Sequence, residues 1–214
     1  MVTYIEFRER LIAEGCFSVH QARAYFPSFD RNDLRRWTQK GMLVKLRRGW
    51  YAFPELLLRP DFSRYVASRI YRPSYVSLHM ALSMYGMIPE AVTDITSVST
   101  LKTASFENRF GRYSYQHVKP ELFFGYKPVE IPVNRSVINA PRQTWLLAHP
   151  EKALLDLLYL YPFYDNDMEL SELRLDDYFM TEELNVERLR EYQQRIGNKA
   201  LDRRIKKLLR LYDL

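Results

Sequence analysis

Apolar positions in the first quarter of the chain recur with a helical period and then switch to a strand period. Tyr4, Phe7, Leu11 and Ile12 share one helical face, and Gly15 stands where such a helix would stop, which predicts a first helix over about residues 3–14. Ser18 is a good N-cap for a short helix carrying Ala22, Tyr25 and Phe26, closed by Pro27. A third helix can begin near Ser28 or Asp30, with Leu34 and Trp37 on its inner face and Gly41 at its end. The runs "MLVKL" and "WYAF" then flank "RRG", two apolar-rich strands about a tight turn in which Gly49 can take positive φ. Trp50 and Tyr51 are expected to pin this hairpin to the helices. Three short helices and a hairpin predict a winged helix-turn-helix over residues 1–54.

The pattern then changes. Phe62, Val66 and Ile70 predict a connecting helix within residues 55–70. In residues 71–214, Ser74 or Ser77 can cap a helix through Leu78, Ala81, Leu82 and Tyr85, ended by Gly86. The β-rich runs "TDITSVST", "LKTASFE", "RYSYQHV", "FFGYKPVEI" and "SVINA" follow, separated by turn residues, and predict a mostly antiparallel sheet. After "TWLLAH", Pro150 opens an amphipathic helix with Ala153, Leu154, Leu157 and Leu158 inward. Asn185 and Asn198 each cap a further helix, the last with Leu201, Ile205, Leu208 and Tyr212 inward. The expected class is α+β: an N-terminal winged helix-turn-helix, then a larger α+β domain ending in helices.

Charge sharpens this division. The net charge is +6, yet residues 1–54 hold ten Lys and Arg against five acids, whereas residues 55–214 hold 22 against 21. The excess sits almost wholly in the first module, which suits a polyanionic partner. The tail is also split: residues 161–194 carry ten acids and three Arg, and residues 195–210 carry seven Lys and Arg against Asp202. The basic last helix is expected to pack over the acidic stretch before it. With a single cysteine, Cys16, there is no internal disulfide and no thiolate metal site, and a buried filler role is expected of it. No run approaches the ~20 apolar residues of a membrane helix and no signal peptide is visible, so a cytoplasmic protein is expected.

If Leu34 and Trp37 face inward, a helical period turns Arg31, Asn32, Arg35, Arg36, Gln39 and Lys40 outward. Arg and Asn suit bidentate contacts with guanine and adenine edges in the major groove, and Lys suits the sugar-phosphate backbone. Arg47 and Arg48, at the hairpin tip, are expected to reach a neighbouring groove or phosphate strand. A plain solvated face is the competing explanation. It leaves unexplained why Asp33 is the only acid among residues 31–54, which hold seven Lys and Arg. Double-stranded DNA is the partner this module predicts.

The chain has no GxxxxGK[ST], GxGxxG, GxSxG or HExxH, and no acid stands two residues before a lysine as in many metal-dependent nucleases. His20, His79, His117 and His149 are isolated from one another. No enzyme activity, cofactor or metal is expected. Two other readings stay open: a scaffold that uses the N-terminal module for protein contacts, and an unrecognised metal-dependent nuclease.

Three stretches carry a resemblance. "RGWYAF", then "RPSYVSLHMALSMYGMIPEAVTDITSVSTLKTASFENRFGRYSYQHVKPELFFGY", then "AHPEKALLDLLYL" resemble the AbiEi antitoxin family of type IV toxin-antitoxin systems, in its transcriptional-regulator form. Tyr75 and Ser77, the Ile88-Pro89-Glu90 and Phe110-Gly111 turns, and the run from Pro150 to Asp156 are its specific positions. The resemblance covers roughly residues 1–162. It implies binding to inverted repeats in the chain's own promoter through the winged helix. It also implies a C-terminal domain that antagonises a nucleotidyltransferase toxin without a stable complex. Ser77, Glu90 and Glu151 are family landmarks, with helix-capping and surface roles as the simplest expectation for each.

Overall fold

The computed structural model describes residues 2–59, 61–131 and 143–214. The predicted strand "SVINA" lies outside the described residues.

Local chemistry sets the first helices. Helix α1 (Tyr4–Leu11) begins at a capping box in which Thr3 and Glu6 bond each other's backbone. Helix α2 (Val19–Tyr25) repeats the device with Ser18 and Gln21, and α3 (Arg31–Gln39) is capped by Asp30, whose carboxylate accepts from the Asn32 amide at 2.8 Å. Between them, the short strand β1 (Cys16–Ser18) pairs with β3 (Trp50–Ala52), which pairs with β2 (Val44–Arg47), giving an antiparallel sheet in the order β1-β3-β2. The Phe7 ring sits at the centre of this module, with ring centroids of Trp37, Phe29 and Phe17 at 4.8, 5.1 and 5.4 Å. Cys16 is fully buried, as expected of a filler, and burial pushes its thiol up to about 12.

The larger part is built on a mixed sheet of six strands: β4 (Ser74–Val76), β5 (Ile95–Ser99), β6 (Ala104–Asn108), β7 (Gly111–His117), β8 (Tyr126–Glu130) and β9 (Thr144–Ala148), in the order β6-β7-β5-β4-β9-β8. Three of its pairings are antiparallel, while β5/β7 and β4/β9 run parallel. The sequence pattern misses β1 and β4, each three residues long, and β9. The chain is thus α+β.

Helix α4 (Phe62–Ile70) covers one face of this sheet, where the Tyr115 hydroxyl of β7 donates to the Ala67 carbonyl at 2.8 Å. Helices α5 (Leu78–Met84) and α6 (Pro150–Leu160) lie on the other, the face to which Tyr75 points. The remaining helices, α7 (Asp167–Ser171), α8 (Val186–Ile196) and α9 (Lys199–Leu211), follow, with an irregular helical turn at Phe179–Glu183 between α7 and α8. Helix α9 buries Leu201, Ile205 and Leu208, and Lys207 bonds both the carbonyl and the carboxylate of Asp165, so the basic helix does meet the acidic segment.

Helix α4 also faces the N-terminal module. The Tyr65 hydroxyl donates to the Glu14 carbonyl at 2.8 Å, Gln143 donates to the Ala13 carbonyl at 2.8 Å, and Arg69 lies over the Trp50 ring at 5.7 Å. Trp50 therefore pins the hairpin to α4, while Tyr51 stacks on Phe17 within the first module. One continuous apolar core runs through both parts.

Gly15 lies in this contact. Its φ is +73°, and a Cβ there would lie 2.9 Å from Gln143 Nε2, 2.9 Å from Tyr65 Cε1 and 3.0 Å from Phe62. Gly41 has nearly the same φ, +71°, but open space around it. Gly41→Ala is therefore expected to cost only the conformational term, about 1 kcal/mol, and Gly15→Ala at least ~2 kcal/mol because steric displacement adds to backbone strain. Urea unfolding midpoints of the two variants check this, and equal losses would refute the close contact.

Candidate nucleic-acid interface

Helix α3 buries Leu34 and Trp37 against the first module, and the Trp37 carbonyl accepts from the Met42 amide at 2.9 Å, which fixes where the helix hands over to β2. With that face committed, Arg31, Asn32, Arg35, Arg36, Gln39 and Lys40 are all exposed. Arg31, Arg35 and Gln39 form one row at four-residue spacing, and Asn32, Arg36 and Lys40 form the next. The lone acid of this region, Asp33, is turned inward at 6% exposure and is engaged by Arg36, whose Nη2 donates to it at 2.6 Å. Arg31, Arg35 and Lys40 make no ion pair with any described residue. The helix thus presents a cation-rich surface on which the one acid within the helix, Asp33, is already neutralised, with the exposed N-cap Asp30 at its start.

The hairpin divides its two arginines. Arg48 is exposed at the tip, and Gly49 beside it, at φ +81°, accepts from the Val19 amide at 2.9 Å, tethering the tip to the start of α2. Arg47 corrects the expectation that it reaches toward a groove. Its Nη1 donates to the Ile70 carbonyl at 2.6 Å and its guanidinium covers the Phe106 ring at 4.6 Å, so it caps the C-terminal end of α4 and fastens the hairpin to the larger part. Asn108 reinforces the junction by donating to the Leu46 carbonyl at 3.1 Å. Lys45 is a further exposed cation on the hairpin, outside the set expected from sequence. The alternation of buried Val44, exposed Lys45 and buried Leu46 carries that signal.

Of the three landmark residues of the second part, Ser77 joins a buried charged cluster, while Glu151 and Glu90 bond elsewhere. Lys152, with no exposed surface, donates to the Tyr75 hydroxyl at 2.8 Å, pairs with Asp156 one turn along α6, and lies over the Phe124 ring at 5.0 Å. The second Asp156 oxygen accepts from Tyr75 at 2.9 Å and from Ser77 at 2.8 Å. Burial and the Asp156 carboxylate hold the Tyr75 phenol well above its usual range. Ser77 occupies the N-cap position of α5, but its hydroxyl serves Asp156 and not the helix. Glu151, expected at the surface, is 1% exposed and accepts from the Asn185 amide at 3.1 Å, at the start of α8. Glu90 is exposed and pairs with Arg174 at 3.0 Å. Every polar atom of the Lys152 and Asp156 charge pair is directed inward, which makes the cluster a structural tie between sheet and helix.

Among the described residues, no three His, Cys, Asp or Glu side chains gather where they could hold a metal, and no helix is long and apolar enough to cross a membrane. No protein-family model matches the chain, and no curated protein matches it.

Removing one member of the buried pair leaves the other charge without a partner. Lys152→Met alone is expected to cost about 3–5 kcal/mol, and Lys152→Met combined with Asp156→Leu to recover a substantial part of that loss. A denaturant double-mutant cycle measures the coupling, and simple additivity of the two changes would contradict a buried pair.

Proposed function

We propose that the chain is a DNA-binding regulator that docks the outward face of α3 into the major groove. The observation that carries this is the six-residue surface of Arg31, Asn32, Arg35, Arg36, Gln39 and Lys40, exposed together on one helix while its only acid is buried and paired. Support also comes from element order: α1, β1, α2, α3 and the β2–β3 hairpin follow one another in the order expected of a winged helix-turn-helix, in which α3 would correspond to the recognition helix. Arg48 and Lys45 are the hairpin cations available for phosphate. Arg47 is withdrawn from the contact set because its guanidinium is held by α4.

The further reading, an autorepressor that is also the antitoxin of a type IV toxin-antitoxin system and works in the cytoplasm, draws its support from the resemblance of the second part to AbiEi proteins. Double-stranded promoter repeats and a nucleotidyltransferase toxin are then its partners. Growth rescue on co-expression with a nucleotidyltransferase encoded beside it tests the antitoxin role separately from DNA binding. The scaffold reading keeps one observation in its favour, the docking of the hairpin flank against the larger part, which leaves less of the wing to reach a second DNA strand.

Titration of the upstream intergenic DNA, followed by fluorescence anisotropy at several salt concentrations, separates these readings. Arg35→Ala is expected to weaken specific binding by ~1–3 kcal/mol, and Arg48→Ala to lower the salt slope by about one charge. Arg47→Ala is expected to leave that slope unchanged. Equal affinity of the wild type and an Arg35→Ala/Arg48→Ala double variant would defeat the DNA role, and cleavage of the DNA with Mg²⁺ would favour a nuclease.

A further inference from the structure

The two halves of the C-terminal charge split are each incompletely matched within one chain. On α9, Lys199, Arg203, Lys206 and Arg210 follow at spacings of four, three and four residues, one stripe on the side away from buried Leu201, Ile205 and Leu208. All four are exposed, and none makes an ion pair with a described residue. Like charges at those spacings destabilise a helix. Beside the stripe, between α8 and α9, runs a groove of about 470 Å³ where Arg190, Lys206 and Arg210 flank apolar Ile205, Leu209 and Leu214. Its one acid among the described residues, Asp202, accepts from Gln193 at 2.9 Å. The segment before α8 has the reverse charge. Glu172, Asp177 and Glu182 are exposed there and make no ion pair with a described residue. Among these acids stand three exposed apolar side chains, Phe163 at 55%, Met168 at 72% and Tyr178 at 66%.

A charged face alone is commonly just solvated. Apolar groups distinguish these two surfaces, because on one they project from between acids and on the other they line a groove rimmed by cations. The same chemistry is already joined once within the chain: Lys207, at the edge of the stripe, pairs with Asp165 at 3.5 Å, and the Tyr212 hydroxyl donates to the Leu175 carbonyl at 3.2 Å. The acidic segment and α9 therefore lie side by side, and a two-fold axis at that end of the molecule can set each stripe against the other copy's acidic segment. We infer that the C-terminal helices form a self-complementary interface, on which a second copy of this chain docks its acidic segment against the α9 stripe and its exposed apolar side chains toward the groove. A nucleic acid fits this surface less well. Its phosphates would meet the acids beside the stripe, and the apolar groove would stay unfilled. The surface is separate from the outward face of α3, so this pairing does not depend on the DNA reading.

Sedimentation velocity of the full chain without DNA, over a range of protein concentrations at ~0.05 M and ~0.5 M salt, tests this. A concentration-dependent dimer that weakens at the higher salt is expected, since exposed charges are screened there. Two charge-reversed variants sharpen the test: Arg203→Glu/Lys206→Glu/Arg210→Glu, and Glu172→Lys/Asp177→Lys/Glu182→Lys, all at exposed positions. Each alone is expected to sediment as a monomer, and an equimolar mixture to restore the dimer, because every reversed surface then meets one of opposite sign. A wild type that stays monomeric at every concentration would overturn the proposal. A dimer that survives either reversal would do the same, as would a mixture that stays monomeric while both variants keep the wild-type circular dichroism spectrum. Binding of a polyglutamate peptide or of duplex DNA by the stripe of a monomeric wild type would assign the surface to a foreign anion and overturn it likewise.

Discussion

The last carbonyls of a helix have no partners within that helix, and in α4 two groups from distant parts of the chain supply them. Tyr115, on the large sheet, donates to Ala67, and Arg47, on the N-terminal hairpin, donates to Ile70. A positive guanidinium at this end also meets the negative end of the helix dipole. One helix terminus is thereby satisfied by both halves of the molecule, and the orientation of the basic module follows from it. Tyr65 and Gly15 complete the junction near the other side of the same helix, where only a glycine leaves room for the aromatic rings of α4.

This arrangement explains the division of labour among the cations. Arg47 and Arg69 are drawn into the junction, while Arg31, Arg35, Lys40 and Arg48 are left in solvent. Unopposed positive charge on a helix repels itself, so its persistence on α3 is a stability cost that a polyanion would relieve. Lys152 shows the opposite arrangement: a cation fully withdrawn from water, matched by a carboxylate, the Tyr75 hydroxyl and aromatic faces. The two clusters place charge for different ends, one outward toward a partner and one inward to hold α6 against β4.

Helix starts were legible because capping is local chemistry. Ser18, Asn185 and Asn198 cap where the sequence placed them, Asp30 is the one of the two offered caps that is used, and Ser77 fails to cap α5 because its hydroxyl is drawn to Asp156. The outward face of α3 was legible for the same reason, since periodicity alone separates Leu34 and Trp37 from the residues between them. Strands β4 and β9 were not, because each is defined by a partner far away in sequence, with Val76 opposite Leu147 in a parallel pair. The role of Glu151 was hidden likewise: a helical acid beside a lysine looks like a surface pair until α8 is laid across it.

Arg47 and Arg48 mark the boundary most clearly. The sequence by itself determined the helices, the hairpin and the concentration of cations in the first module, because spacing, caps and turn residues act over a few positions. Neighbouring arginines of the same chemistry could not be told apart that way. Only tertiary structure decided that one would close the end of α4 and the other remain in solvent, and that Tyr75, Ser77, Lys152 and Asp156 would meet. Those outcomes depend on contacts between segments distant in the chain, whose energies no local pattern encodes.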